Sequence, residues 1–208
     1  MVAHAIGGSR LWNVKPEPQR SGRNETDASV AASAGQSAFE ERRKDALALL
    51  GLPEGCGLVA GQGASTAVIF ARLLELSHAE VMRVLAAAMA DSLEAGSELV
   101  EAVGVHLDVD LQKVWTPDDA FFDLLRDKTV INAMVAEIAG KAVANGNVAA
   151  TGKAQKQIVR DCLTGSNGRE KVTGWLPRWF AFPVRSYRKN GGLQTAAHWK
   201  SVKTLFGR

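Results

Sequence analysis

The residues best suited to chemistry lie near the end of the chain. Arg169, Lys171, Arg178, Arg185, Arg188, Lys189, Lys200 and Lys203 are interleaved there with Trp175, Trp179, Phe180, Phe182, Tyr187 and Trp199. Cations neutralise phosphate charge and aromatic faces stack on bases, so this mixture suits contact with nucleic acid through the phosphate backbone. A second reading has the stronger physical support. In GWLPRWFAFP, residues 174–183, the apolar side chains are too dense to be left in water. They would then pack on the rest of the chain or on a partner protein, with the arginines snorkelling outward. On that reading Trp175, Leu176, Trp179 and Phe182 are largely buried, while Arg178, Arg185 and Arg188 face outward.

Other candidate sites are weaker. GCGLVAGQGAST, residues 55–66, places glycines before a helix, as a phosphate cradle would. A P-loop also needs a Gly-Lys-Ser/Thr end, yet no lysine lies between Lys44 and Lys113. The stretch therefore reads as a glycine-rich connector. Asp108 and Asp110 stand beside His106, but no further ligand cluster accompanies them, and Asp118 and Asp119 are explained by the positive end of a helix dipole. The four histidines are scattered, and no nucleophile and base pair by spacing. No catalytic residue, cofactor or metal is expected, and the chain is read as a non-enzyme. Cys56 and Cys162 stand far apart without metal-ligand neighbours, as buried thiols of a reducing compartment do.

The elements that must position the tail follow from composition and period. Hydrophobic residues are 46% of the 208, enough for one core, and no apolar run is long enough to cross a bilayer. The start lacks a basic residue followed by an apolar stretch, so a cytoplasmic protein is expected, associated with nucleoid or plasmid if it binds DNA. Charge divides the chain. Residues 37–164 hold twelve Lys/Arg against eighteen Asp/Glu, whereas residues 165–208 hold nine against one. An acidic body with a basic tail is a pattern that favours a polyanion partner.

Residues 1–36 show no apolar period and read as a disordered leader. Residues 37–164 read as one helical domain, and residues 165–208 as a basic aromatic tail whose first half packs on it. The expected fold is all-α, with about six to eight helices. One helix starts near residue 37 and stops at Gly51. Another runs over 65–76 with Val68, Ile69, Leu73, Leu74 and Leu76 inward. Ser77 with Glu80 predicts a capping box, opening a helix with Val81, Met82, Leu85, Met89 and Leu93 inward. Ser97 caps a short piece carrying Leu99, Val100 and Val103, and a short helix follows Asp108. Thr116-Pro117 opens a helix with Phe121 and Phe122, Asp127 caps a long one reaching Val143, and a helix from about Thr151 to Leu163 is mainly basic outside.

VWTPDDAFFDLLRDKTVINAMVAEIAG at 114–140, a basic helix and then GWLPRW at 174–179 resemble, in that order, the C-terminal region of large ParB-like partition proteins of plasmids and alphaproteobacterial chromosomes. The resemblance spans about residues 37–190. It implies a role in DNA segregation through contacts with a ParB-type or ParA-type partition protein, with DNA, or with further copies of the chain. Complete members add an N-terminal nucleotide-binding domain and a central helix-turn-helix. FEERRKDALAL at 39–49 has a Glu-Arg-Arg but no preceding glycine, so nucleotide binding is not carried onto it. The expectation is a C-terminal region standing alone, as a truncated gene, a split subunit or the product of a misplaced start codon.

Overall fold

The computed structural model describes residues 27–59, 64–94, 97–188, 192–195, 199 and 203–206. The fold is all-α, with nine helices among the described residues. They are α1 (Asp27–Ala31), α2 (Ala34–Leu49), α3 (Thr66–Glu75), α4 (His78–Ser92), α5 (Glu98–His106), α6 (Asp119–Leu124), α7 (Lys128–Ala139), α8 (Lys141–Gly146) and α9 (Gly152–Thr164). A 3-10 turn at Leu111–Lys113 supplies the short helix expected after Asp108. The tail adds a hairpin that its sequence did not announce. Strands β1 (Arg185–Arg188) and β2 (Gly192–Thr195) pair antiparallel, with Arg185 opposite Thr195 and Arg188 opposite Gly192.

The body read as one domain divides into two compact units. Residues 35–100 fall in the first, and residues 27–34 with those from 101 onward in the second. The boundary lies inside α5, between Val100 and Glu101. The leader reading ends sooner than expected, because Asp27–Ala31 and the residues from Ala34 are helical. Alanine favours helix, and the Trp115 indole N–H donates to Ser29 Oγ at 3.4 Å, tying α1 to the second unit. Trp12 and residues 1–26 lie outside the described residues, as do Ala60–Gly63 of the glycine-rich connector.

In the first unit, Ala46, Leu47, Leu50, Leu58, Val59, Ile69, Val84, Ala87 and Ala88 form the core. Two arginines close its loops. Arg43 donates to the Cys56 carbonyl at 2.7 Å, and Arg72 to the Leu49 carbonyl at 2.9 Å. Ser65 and Ser77 cap α3 and α4, and the Ser77–Glu80 box is complete. The inward faces differ from those expected. Val68 and Leu74 of α3 are 58% and 71% exposed, leaving Ile69 as its buried residue. On α4, Met82 and Met89 are exposed while Val84, Ala87 and Ala88 are buried. Small alanines let the backbone approach its neighbours closely, and that contact outweighs the pull of the larger methionines.

The second unit is built on α6, α7, α8 and α9, around Phe122, Val130, Met134, Val135, Ala144, Ile158, Val159 and Trp179. Asp127 and Thr151 cap α7 and α9 through side-chain oxygens. Two local readings are corrected. The cap of α6 is Asp118, whose Oδ1 accepts from the Phe121 N–H at 3.0 Å; Thr116 and Pro117 precede the helix. The helix expected to run on to Val143 is broken at Gly140, whose φ of 89° suits a residue without a Cβ. Across that break, the buried Gln155 of α9 donates to the Asn147 carbonyl at 2.8 Å and pins the turn after α8.

Candidate nucleic-acid interface

The aromatic stretch is part of the second unit's core. Leu176, Pro177 and Trp179 are buried; Trp175, Phe180 and Phe182 are half-buried. Phe180 stacks on Trp115 with ring centres 5.2 Å apart, and Phe121 meets both rings edge-on. Such geometry adds to simple area burial. The Trp-Thr-Pro-Asp-Asp segment leading into α6 and the GWLPRWF segment therefore form one aromatic cluster, though about sixty residues separate them in the chain.

Two carboxylates hold the strap at its ends. Glu137 of α7 accepts from the Arg178 backbone N–H at 3.2 Å, and its other oxygen lies 3.1 Å from Arg178 Nε. Burial pushes the Glu137 carboxyl above the usual range, and the two Arg178 interactions only partly offset that. Glu101 of α5 is buried and accepts from the Val184 N–H at 2.8 Å, which ties the chain just before β1. Gly104, one turn on, lies against Phe182; a Cβ there would run into its ring.

The expected contact residues divide by environment. Arg178 is outward, its side chain 62% exposed, yet its charge is met by Glu137. Arg169 is half-buried and lies near Asp161, a carboxyl held below the usual range by hydrogen bonds from Gln157 and Asn167, with Arg169 adding to the effect. Lys171, Arg185 and Lys203 are exposed and form no ion pair among the described residues. Arg188 is described only as the last residue of β1. Lys189 and Lys200 lie outside the described residues.

Arg185 also lines an open cavity of about 680 Å³, shared with Asp108, Asp110, Lys113, Phe182 and Trp199. Its acids and bases balance, so the cavity has no preference for an anion. Asp108 adopts φ 49°, a left-handed conformation that a short polar side chain tolerates.

A further basic surface lies on α9. Lys153, Lys156 and Arg160, at helical spacings of three and four, share the face opposite Ile158, Val159 and Cys162. Arg160 is anchored: it lies 4.5 Å above the Phe122 ring and 2.9 Å from Asp119. Lys156 is pushed below the usual lysine range, first by desolvation and then by Arg126 and Arg160, with Asp123 acting against the shift. The sequence signal for this surface was the basic outer face of the Thr151–Leu163 helix.

Among the described residues no group of three or more His, Cys, Asp or Glu is placed to hold a metal, and no helix is long and apolar enough to cross a membrane. No family model, curated protein or solved structure matches the chain.

Proposed function

We propose that this chain is a non-catalytic, ParB-like partition-associated protein that contacts DNA through phosphates and takes part in DNA segregation or plasmid maintenance. The observation that carries the DNA contact is the separation of aromatics from cations in the tail. Trp175, Trp179 and Phe180 pack in the core of the second unit, while Lys171, Arg185 and Lys203 stay exposed in a segment with nine basic residues against one acid. Contact through phosphates without base stacking is nonspecific and steeply salt-dependent. The order of the Trp-Thr-Pro-Asp-Asp, basic-helix and Gly-Trp-Leu-Pro segments supports the partition half of the reading, with a ParA-type or ParB-type protein as partner.

The test is the affinity of the full chain for duplex DNA across a salt series. Each phosphate contact contributes a slope of about −0.9 in log K against log salt. Replacing Lys171, Arg185 and Lys203 by glutamine is expected to make the slope shallower by roughly 3. Absence of binding at low salt, or a slope unchanged by the triple substitution, overturns the proposal. A second reading, an interaction or oligomerisation module without DNA binding, is favoured by one observation: the first unit leaves Phe70, Leu74, Met82 and Met89 about half exposed or more.

A further inference from the structure

Helix α4 is apolar on two sides. One side, Val84, Ala87 and Ala88, lies in the core of the first unit. The other reads Ala79, Met82, Ala86, Met89 and, at the C-cap, Leu93, spaced by three, four, three and four residues. That is the a/d spacing of a coiled-coil seam. Met82 and Met89 are 48% and 53% exposed, Ala79 and Ala86 are exposed, and Leu93 is half-buried. A helix with two apolar faces belongs in an interior, and here Ala79, Met82, Ala86 and Met89 face solvent.

We infer that a second copy of this chain covers the seam, α4 packing antiparallel on α4 about a two-fold axis level with Val84. The alternation of small and large residues selects both the occupant and the direction. In the antiparallel pairing Ala79 faces the partner's Met89 and Met82 faces the partner's Ala86, with the two symmetry mates. All four layers then combine one alanine with one methionine, at nearly constant volume. A parallel pairing sets alanine on alanine and methionine on methionine, alternating gaps with crowding that a close-packed interface does not tolerate. Polar groups beside the seam are already satisfied. Arg83 is held by Asp45 at 2.7 Å, and Glu80 by the Ser77 cap. Two like-charged arginines brought together by the axis are thus each neutralised within their own copy.

Area sets the strength. Fifteen residues of helix are about 22 Å long and about 10 Å across, so one seam covers on the order of 220 Å² per copy. A standard stable interface buries roughly 800 Å² per partner. Phe70 and Leu74, 55% and 71% exposed on α3, are further exposed apolar surface of the same unit. The expected dimer is accordingly concentration-dependent. This inference does not rest on the DNA reading.

Light scattering on the full chain, run over a concentration series, is expected to rise toward twice the 22.2 kDa chain mass. Met82→Glu and Met89→Glu, both at exposed positions, are expected to hold the chain monomeric with an unchanged helical signal. Ala86→Met alone is expected to weaken the dimer at least tenfold, and Met82→Ala with Ala86→Met in the same chain to restore it, because each layer regains one of each residue. Direction is read by mixing Met82→Cys and Ala86→Cys chains in a Cys56→Ser background: disulfides between unlike chains are expected to dominate. A monomer at the highest concentration, a dimer indifferent to both glutamates, or cross-links mainly between like chains overturns the inference.

Discussion

Replacing Trp179 by alanine separates a core tryptophan from a base-stacking one. Trp179 is 9% exposed and packs in the cluster with Phe122, Met134 and Val159. A tryptophan buries about 200 to 250 Å², which at about 25 cal/mol per Å² corresponds to roughly 5 kcal/mol. Residual burial in the unfolded chain reduces this by some 10 to 40%, and the cavity left behind adds back part of the loss. The expected destabilisation is about 3 to 5 kcal/mol. With a urea m-value of about 2 kcal/mol/M the midpoint moves down by roughly 2 M. Because the chain has two compact units, the loss should fall on the unit that holds Trp179. Urea unfolding followed by circular dichroism gives the size, and hydrogen exchange at α7 and α9 against α2 and α4 gives the place. Base stacking requires the opposite pair of results, with stability nearly unchanged and DNA affinity reduced by about 1 to 3 kcal/mol. A stability loss under about 1 kcal/mol would refute the argument that the strap is core.

Two further substitutions probe how the strap is held. Gly104→Ala sets a methyl group against the Phe182 ring, so a loss of about 1 to 3 kcal/mol is expected; an unchanged melting temperature would show that the ring moves aside freely. Glu137 yields a pH test. Its folded carboxyl is raised, so between the ordinary glutamate value and that raised value the folded state keeps a proton that the unfolded chain has released. Stability therefore falls as pH rises through that window, and Glu137→Gln should remove this part of the slope. Urea midpoints across the window check it, and an unaltered slope in the variant counts against the assignment.

Features that depend on a few adjacent residues were legible in the sequence. The Ser77–Glu80 box, the Asp127 cap, the helix start at about Thr151 and the 3-10 turn after Asp108 each rest on backbone groups satisfied within about three residues, so local chemistry is enough to specify them. The density of GWLPRWFAFP likewise made its packing readable, since so much apolar surface has no stable place in water. Where several local solutions compete, adjacent residues do not settle the boundary. Asp118 in place of Thr116 as the cap of α6, and the break at Gly140, turn on one residue's preference over a neighbour's.

Tertiary structure decided which of two apolar faces is inside. α4 carries methionines on one side and valine with alanines on the other, and the sequence pattern put the larger methionines inward where the structure buries the valine and alanines. It also divided the helical body within α5 and paired the tail strands. It set Arg178 in an ion pair with Glu137 and Arg169 beside Asp161, left Lys171 and Lys203 exposed, and placed Arg185 on a cavity that Asp108 and Asp110 also line. Composition counts those five charges alike. What distinguishes them is the distance to acids elsewhere in the chain, 41 residues away for Arg178, and folding alone sets that distance.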